Sequence, residues 1–317
     1  MAFANSAISD IIATTIQSRT GELADNVTNN NGLLRRLKDR DNVKTFSGGN
    51  VILQEIMYND TSTNNTNSYS GYEVINVGQN SPISSAQYSI TQYASAITIS
   101  GLEMLQNSGK EQIIDLLDGR MQVAEAQLAN RIATDLYGDG TGNSGKNWDG
   151  LGNIVESGNT VGGINSASGQ GNDWWRSYEE NTATALTLAQ MATAYNSTSV
   201  GNDHIDTILT TQTLFEKYEA LLQPQLRYTD TKTADAGFQN LLFKAAPVVY
   251  DVHCTAGVVY FLNSKYLTLV GHSGKWFAQT DFVRPENLDA RYALIMCYGN
   301  LTCRNRAKQG KLTAKTA

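Results

Sequence analysis

The sequence predicts an α+β fold, large enough for two ordinary domains or one with insertions, and three observations predict it. Apolar residues recur at three and four through Ile113, Ile114, Leu117, Met121, Ala124, Leu128, Ile132 and Leu136, the period of one long amphipathic helix. Helical and strand-like stretches alternate from Leu186 to Leu222, and successive strand-like runs follow from Leu241. The chain has 317 residues, 41% of them hydrophobic and only 17% charged. That length, against a typical domain of about 150 residues, leaves room for a sizeable core. With 4 Pro, 15 Tyr and abundant Asn, Thr, Ser and Gly, the composition excludes collagen, coiled coil, a mucin-like stalk and charge-driven disorder.

The formal net charge of -6 argues against a protein whose whole surface grips nucleic acid, because phosphate neutralisation needs a basic field. Met1 to Thr20 has no basic leading segment and is interrupted by Asp10, so no secretory signal is read there. No apolar run approaches the ~18 residues of a membrane span. Cys254, Cys297 and Cys303 are odd in number and not closely paired, and are expected to be thiols.

In chain order, the first forty residues read as an arm, with one weak stripe (Ile8, Ile12, Ile16) running into Asn29, Asn30 and Asn31. A second stripe, Leu33, Leu34 and Leu37, carries Arg35, Arg36, Lys38 and Arg40; it is a solvated helix face or a nucleic-acid contact. Val51 to Tyr58 is strand-like, Asn59 to Ser70 is polar, and Tyr72 to Val77 is strand-like again, which reads as a hairpin with a long tip. Alternation puts Val51, Leu53 and Met57 on one face and Ile52, Ile56 and Tyr58 on the other. Both faces need cover, from the chain's own core or from another subunit. Ser84 to Ser100 alternates as a half-buried strand through Tyr88, Ile90, Tyr93, Ile97 and Ile99, and Gly101 ends it.

The long helix is expected from Lys110 to Tyr137, closed by Gly138. Gly138 to Trp175 is rich in glycine and short of long elements. Leu186 to Tyr195 and Thr213 to Leu222 read as helices, Ile205 to Thr210 as a strand between them. A polar loop at Asp230 to Gly237 precedes strands at Leu241 to Asp251, Val258 to Leu262, Tyr266 to Val270 and Trp276 to Phe282. A long alternating strand, Asp289 to Arg304, leads into a tail holding Arg304, Arg306, Lys308, Lys311 and Lys315 and no acid. Taken alone, that tail reads as a solubilising terminus. No internal repeat is evident.

Few constellations carry chemistry. Gly140 to Asn147 matches three of the four fixed positions of a phosphate loop, but Asn147 stands where a magnesium-binding hydroxyl is needed, and the segment follows a helix instead of a strand. It reads as a structural turn. His204, His253 and His272 lie at no ligand spacing, and His253 and Cys254 would point to opposite faces of a strand. No C-x-x-C, H-E-x-x-H or G-x-S-x-G pattern occurs. Asp203, Asp206, Glu179 and Glu180 read as solvated carboxylates rather than a glycosidase pair. No cofactor and no catalytic residue is expected. Trp174, Trp175 and Arg176 could stack on a ligand but suit a loop anchor.

Four segments together resemble a known family. Gly138-Asp-Gly-Thr-Gly142 after a long helix, Gly150-Leu-Gly-Asn-Ile-Val155, Thr160-Val-Gly-Gly-Ile-Asn165 and Trp174-Trp-Arg176 are similar to the central signature of tailed-phage major capsid proteins with the Hong Kong 97 fold. The order of elements agrees over nearly the entire chain. The resemblance implies an N-terminal arm (1–42), an extended hairpin loop (43–79), a peripheral domain (80–152 and 283–317) with a spine helix at about 110–137, and an axial domain (153–282).

It also implies a structural protein without a catalytic centre, assembling as hexamers and pentamers into an icosahedral shell around double-stranded DNA, in the virion and, before that, in the host cytoplasm. Val51, Leu53, Ile56, Met57, Tyr58, Tyr72 and Val74 would then lie against a neighbouring subunit. Gly138, Gly140 and Gly142 would form the turn after the spine helix, Gly162 and Gly163 the glycine-rich passage, and Trp174, Trp175 and Arg176 the loop anchor. Arg35, Arg36, Lys38, Arg304, Arg306 and Lys308 would face packaged DNA without reading its sequence.

A portal protein, and possible scaffolding or decoration proteins, are the further partners expected, and no membrane. No lysine lies between Val51 and Val77, so the isopeptide cross-link of some relatives is not expected. The short arm implies a separate scaffolding protein or none. The alternatives are an encapsulin-like compartment, an enzyme on an α+β scaffold, and a trimeric tail or adhesin protein.

Overall fold

The computed structural model describes residues 32–58, 66, 68–75, 77–78, 83–106, 110–222 and 241–317, with backbone alone for 104–106 and 110–118. The stripe at Ile8, Ile12 and Ile16, most of the hairpin tip and the loop at 230–237 lie outside the described residues.

Two sheets and one long helix organise the chain. Helix α1 (Gly32–Asp39) leads into β1 (Val43–Phe46) and β2 (Val51–Met57). Next come β3 (Ile83–Ser89), β4 (Thr91–Ser100), a short α2 (Gly101–Gln106) and the long α3 (Lys110–Asp135). At 1.5 Å per residue α3 runs about 39 Å. Its Ala124, Leu128 and Ile132 recur at helical spacing and are buried in one core with Tyr93 and Ile97 of β4, which is why a helix of low overall hydropathy holds its course.

After α3 the chain makes short pieces, including a two-stranded β5 (Thr160–Val161) and β6 (Ile164–Asn165). Then follow β7 (Tyr178–Ala185), α4 (Leu188–Thr198), β8 (Thr207–Thr210), α5 (Gln212–Leu222), β9 (Leu241–Phe243), β10 (Ala246–Tyr250) and β11 (Val259–Leu262). The last strands are β12 (Leu267–His272), β13 (Ala278–Gln279), β14 (Ala290–Cys303) and β15 (Gly310–Thr316).

The first sheet runs β1-β12-β14-β13, with β4 also paired to β14 in a ten-residue antiparallel register from Ala290↔Ser100 to Gly299↔Thr91. The second is six-stranded, β7-β15-β11-β8-β10-β9. Helices α4 and α5 close a separate core on it around Met191, Tyr195, Phe215, Tyr218 and Phe261. Thr187 caps α4 with a reciprocal Thr187–Gln190 pair, so its start is fixed locally.

Several expectations are corrected. The partner of β2 is β3, not Tyr72 to Val77, whose described residues form no strand. The reason is packing: opposite Ile52, β3 brings Tyr88 into the core, where its hydroxyl donates to Cys303 O at 2.9 Å. The sheets also join segments far apart in the chain. Strands β12 and β13, inside 153–282, pair with β14, while β15, inside 283–317, belongs to the second sheet. Hydrogen-bond partners this distant in sequence leave no local pattern. Of Trp276 to Phe282 only β13 is strand, and β7, whose Tyr-Glu-Glu-Asn-Thr-Ala-Thr-Ala has no apolar alternation, was not expected.

The basic tail is no free terminus, since β15 lies between β7 and β11. Lys311 is buried against Glu156 and Glu179, and Lys315 against Glu180 at 3.0 Å.

Candidate assembly surface

The β2–β3 hairpin has one covered and one open face, because side chains alternate across a strand. Ile52, Gln54 and Ile56 point inward with Ala86 and Tyr88. Gln54 is held at both ends of its amide: Nε2 donates to Thr302 Oγ1 at 3.1 Å, and Oε1 accepts from Arg304 Nε at 2.8 Å. Tyr58 stacks on Trp174 with ring centroids 4.3 Å apart and planes 6° from parallel. The inner face of the hairpin is therefore fastened to β14, and the end nearest its tip to the loop before β7.

The outward face is open and mixed: Val51, Leu53 and Met57, with Ile83 opposite Met57, share it with Glu55, Ser85, Gln87 and Ser89; Leu53 is 61% exposed and Met57 83%. In the segment beyond, Tyr69, Tyr72, Val74, Ile75 and Val77 are exposed as well. So many exposed large apolar side chains in one segment mark an interaction site. Ile56 was expected on that surface and is instead in the chain's own core, because it shares the inward phase of Ile52; Ile83 belongs to the outward face and was missed, because its strand was placed elsewhere.

Under the hairpin lies the glycine-rich passage. Gly162 has φ +62°, and a Cβ there would sit 2.6 Å from Ala86 Cβ, so the β5–β6 turn can approach β3 only as glycine; Gly162 O accepts from Gln87 N at 2.9 Å. Gly150 is the second such place: a Cβ would meet Gly138 O at 2.3 Å, where the turn after α3 folds back on itself. Gly140 and Gly142 lie in that same turn, and Gly163 follows Gly162 in the β5–β6 turn with open space around it. Residues 140–147 form an irregular turn with Asn143 and Ser144 left-handed, not a phosphate cradle. Trp175 is buried and its Nε1 donates to Val161 O at 3.1 Å, while Arg176 Nε donates to Ser166 O and its guanidinium pairs with Asp173 at 2.9 Å.

The residues read as DNA-facing divide. Arg306 is fully buried: Nε donates to Ile154 O at 2.7 Å, and the other nitrogens to Ser166 Oγ at 3.0 Å and to Glu156 O. Burial lowers its pKa. It stitches the glycine-rich passage together and cannot reach DNA. Arg36 donates to Thr207 Oγ1 at 2.9 Å and Asp206 O at 3.0 Å, and burial lowers its pKa too. Arg304 is engaged by Gln54. Arg35 and Lys38 lie on the exposed side of α1, and Lys308 is half-buried.

Buried acids missed by the sequence reading hold these elements in place. Asp251 Oδ2 accepts from Gly32 N at 2.8 Å, capping α1, and from Tyr137 Oη at 2.8 Å; burial, then the Asp251 charge, raises the Tyr137 pKa. Asp135 accepts from Tyr93 Oη at 2.6 Å and Asn147 Nδ2 at 3.1 Å. Cys297 and Cys303 are free thiols that burial pushes up to about 12. Among the described residues no group of three metal-ligating side chains occurs, and no helix is long and apolar enough to cross a membrane.

No protein-family model and no curated protein matches the chain by sequence. Solved structures do match it. The chain is similar to a subunit of the cyanophage A-1(L) capsid, at 17% identity with a TM-score of 0.68, over 93% of this chain and 96% of that one. It is also similar to a Synechococcus elongatus encapsulin, at 11% identity and a TM-score of 0.57 over 89% and 87% of the two chains. A third is a chain of Mycobacterium phage Bobi, at 12% identity and a TM-score of 0.53 over 88% and 90%. Matched over about nine-tenths of its length, the chain has the Hong Kong 97-type capsid fold.

Proposed function

We propose that this chain is the major capsid protein of a tailed double-stranded DNA bacteriophage, assembling as hexamers and pentamers into the icosahedral shell that encloses the genome. The observation that carries the reading is the hairpin: its inner face is satisfied by its own core, so the outer face of Val51, Leu53, Met57 and Ile83 is left for another copy. Its role is mechanical, with no catalytic centre, and residues 47–90 act as the extended loop that overlaps a neighbour. The first sheet with α3 acts as the peripheral domain and the second sheet as the axial domain.

Because no lysine lies between Phe46 and Ser89, the shell is held by burial and hydrogen bonds rather than isopeptide links. Of the six candidate basic residues, Lys38 and Lys308 are the ones we assign to non-specific contact with packaged DNA, because neither is fully buried. Portal and scaffolding or decoration proteins complete the set of partners, and assembly takes place in the host cytoplasm. An encapsulin-like compartment is the second reading, favoured by the likeness to the Synechococcus encapsulin.

Negative-stain microscopy and sedimentation of the expressed chain test the proposal. Megadalton particles or discrete capsomers are expected; a compact monomer or small oligomer at high concentration overturns it. Nucleic acid inside particles assembled in cells separates the phage reading from the compartment reading.

A further inference from the structure

Cations from three parts of the chain converge beside the start of β8: Arg36 and Arg40 on and just after α1, Lys265 in the single turn Ser264–Tyr266, and Lys308 in the single turn Arg306–Lys308. Two carboxylates gather them. Asp206 Oδ1 accepts from Ser264 N at 3.0 Å and Oδ2 from the Ser264 hydroxyl, while Arg40 lies 3.4 Å from Oδ2 and Arg36 donates to Asp206 O at 3.0 Å. Asp203 accepts from Asn263 Nδ2 at 3.0 Å and from the Tyr266 hydroxyl, so it holds the turn on both sides of Lys265. Gln309, next to Lys308, is fully buried and joins Asn263 in both directions: Asn263 N donates to Oε1 at 3.0 Å, and Nε2 donates to Asn263 O at 3.1 Å. Burial alone would raise the pKa of Asp203, but Tyr266, Asn263 and the charges of Lys265 and Lys308 outweigh it and hold the value below the ordinary 3.8. Lys265 is exposed, Lys308 half-buried and the Arg40 side chain 48% exposed. Among the described residues neither lysine forms an ion pair.

We infer that Arg40, Lys265 and Lys308 form one anion-binding patch whose partner is the phosphate backbone of duplex DNA. Four cations, Arg36 included, stand against two carboxylates whose oxygens already accept hydrogen bonds from the turn, so positive charge remains on the outside. Asp39 and Asp41, on either side of Arg40 in the chain, line a cleft against α3 instead. Ammonium groups meet phosphate as point charges, and a backbone of closely spaced phosphates accepts them without demanding a particular shape. The frame beneath is rigid: Asn263, Ser264 and Gln309 are buried, so the three cations are held together before any ligand arrives. Sequence spacing gives no hint of Lys265, which stands alone between β11 and β12. The assignment rests on the shell reading for the presence of DNA and names residues that meet it, in contacts independent of base sequence.

The test measures binding of the dissociated full chain to a random-sequence DNA duplex by fluorescence anisotropy, as log affinity against log salt between about 20 and 150 mM sodium chloride. Lys265→Gln and Lys308→Gln should each make the slope shallower by about 0.9, and the pair together by about 1.8. Lys146→Gln, at an exposed position in the turn after α3, should leave it unchanged. No binding by the parent at the lowest salt, a parent slope kept by both patch variants, or an equal loss in Lys146→Gln overturns the proposal. Acetylation of the unsubstituted chain guards against a variant that fails to fold. Duplex DNA should protect Lys265 and Lys308 but not Lys146, and equal reaction with and without DNA overturns the proposal. In assembled particles, protection that survives removal of the DNA assigns the patch to a neighbouring copy and overturns it too. Binding by the dissociated chain is read whether or not shells form, so failure of the shell reading and failure of this one are seen separately.

Discussion

Replacing Leu53 and Met57 together by glutamine separates folding from assembly. Both side chains point away from the core, at 61% and 83% exposed, so each has most of its apolar area still to bury when another copy arrives. Full burial of such a side chain is worth about 2 kcal/mol, and the fractions still open leave about 3 kcal/mol for the pair. That is roughly a hundredfold in the association constant of each hairpin contact. Folding of the single chain should change by no more than about 0.5 kcal/mol, because neither side chain touches the chain's own core. Sedimentation velocity across a dilution series reads the concentration at which particles or capsomers appear, expected to rise at least about a hundredfold. Thermal melting of the dissociated chain reads folding. An unchanged assembly threshold refutes the assignment of this face to inter-subunit contact. A loss of several kcal/mol in the dissociated chain would mean the ribbon folds onto its own body.

Three further perturbations probe what holds the surface in place. Gly162→Ala combines a left-handed backbone with a 2.6 Å approach to Ala86 and should cost about 2–4 kcal/mol in urea unfolding, whereas Gly163→Ala, in open space, should cost about 1 kcal/mol. Arg306→Met leaves the Ile154 and Glu156 carbonyls without their donor and should cost about 3–5 kcal/mol; equal stability would show that water replaces the guanidinium. Burial alone would raise the pKa of Glu179, but the Ser157 hydroxyl and amide and the Lys311 ammonium outweigh it and hold the pKa below the ordinary 4.5. With the folded value depressed, this group stabilises the fold above pH 4.5 and loses that contribution as pH falls through the folded value. Urea midpoints between pH 3 and 6 should therefore fall less steeply with acid in Glu179→Gln than in the parent, and identical slopes would remove Glu179 from the acid response.

Legibility followed the range of the forces involved. The long helix announced itself because Ala124, Leu128 and Ile132 repeat within one element, and β4 because Tyr93, Ile97 and Ile99 alternate along one strand. The hairpin's first strand was legible for the same reason, its partner was not: Tyr72 to Val77 and Ile83 to Ser89 are both plausible strands locally, and the Tyr88 bond to Cys303, more than two hundred residues away, favours the second. The lysines of β15 read as a charged tail because a positive charge usually seeks water. Only Glu156, Glu179 and Glu180, brought from elsewhere in the chain, let Lys311 and Lys315 lie inside a sheet.

From residue order alone come the periodicities, the glycine turns, the thiol state expected of the cysteines and an apolar ribbon longer than a solvated loop needs, since each depends on neighbours a few positions apart. Tertiary structure decided which face of that ribbon stays open, which arginines are spent inside the molecule and which sheet each late strand joins. Those outcomes depend on contacts between residues one to two hundred positions apart, where side-chain fit and charge neutralisation, rather than local pattern, choose among arrangements the sequence permits equally.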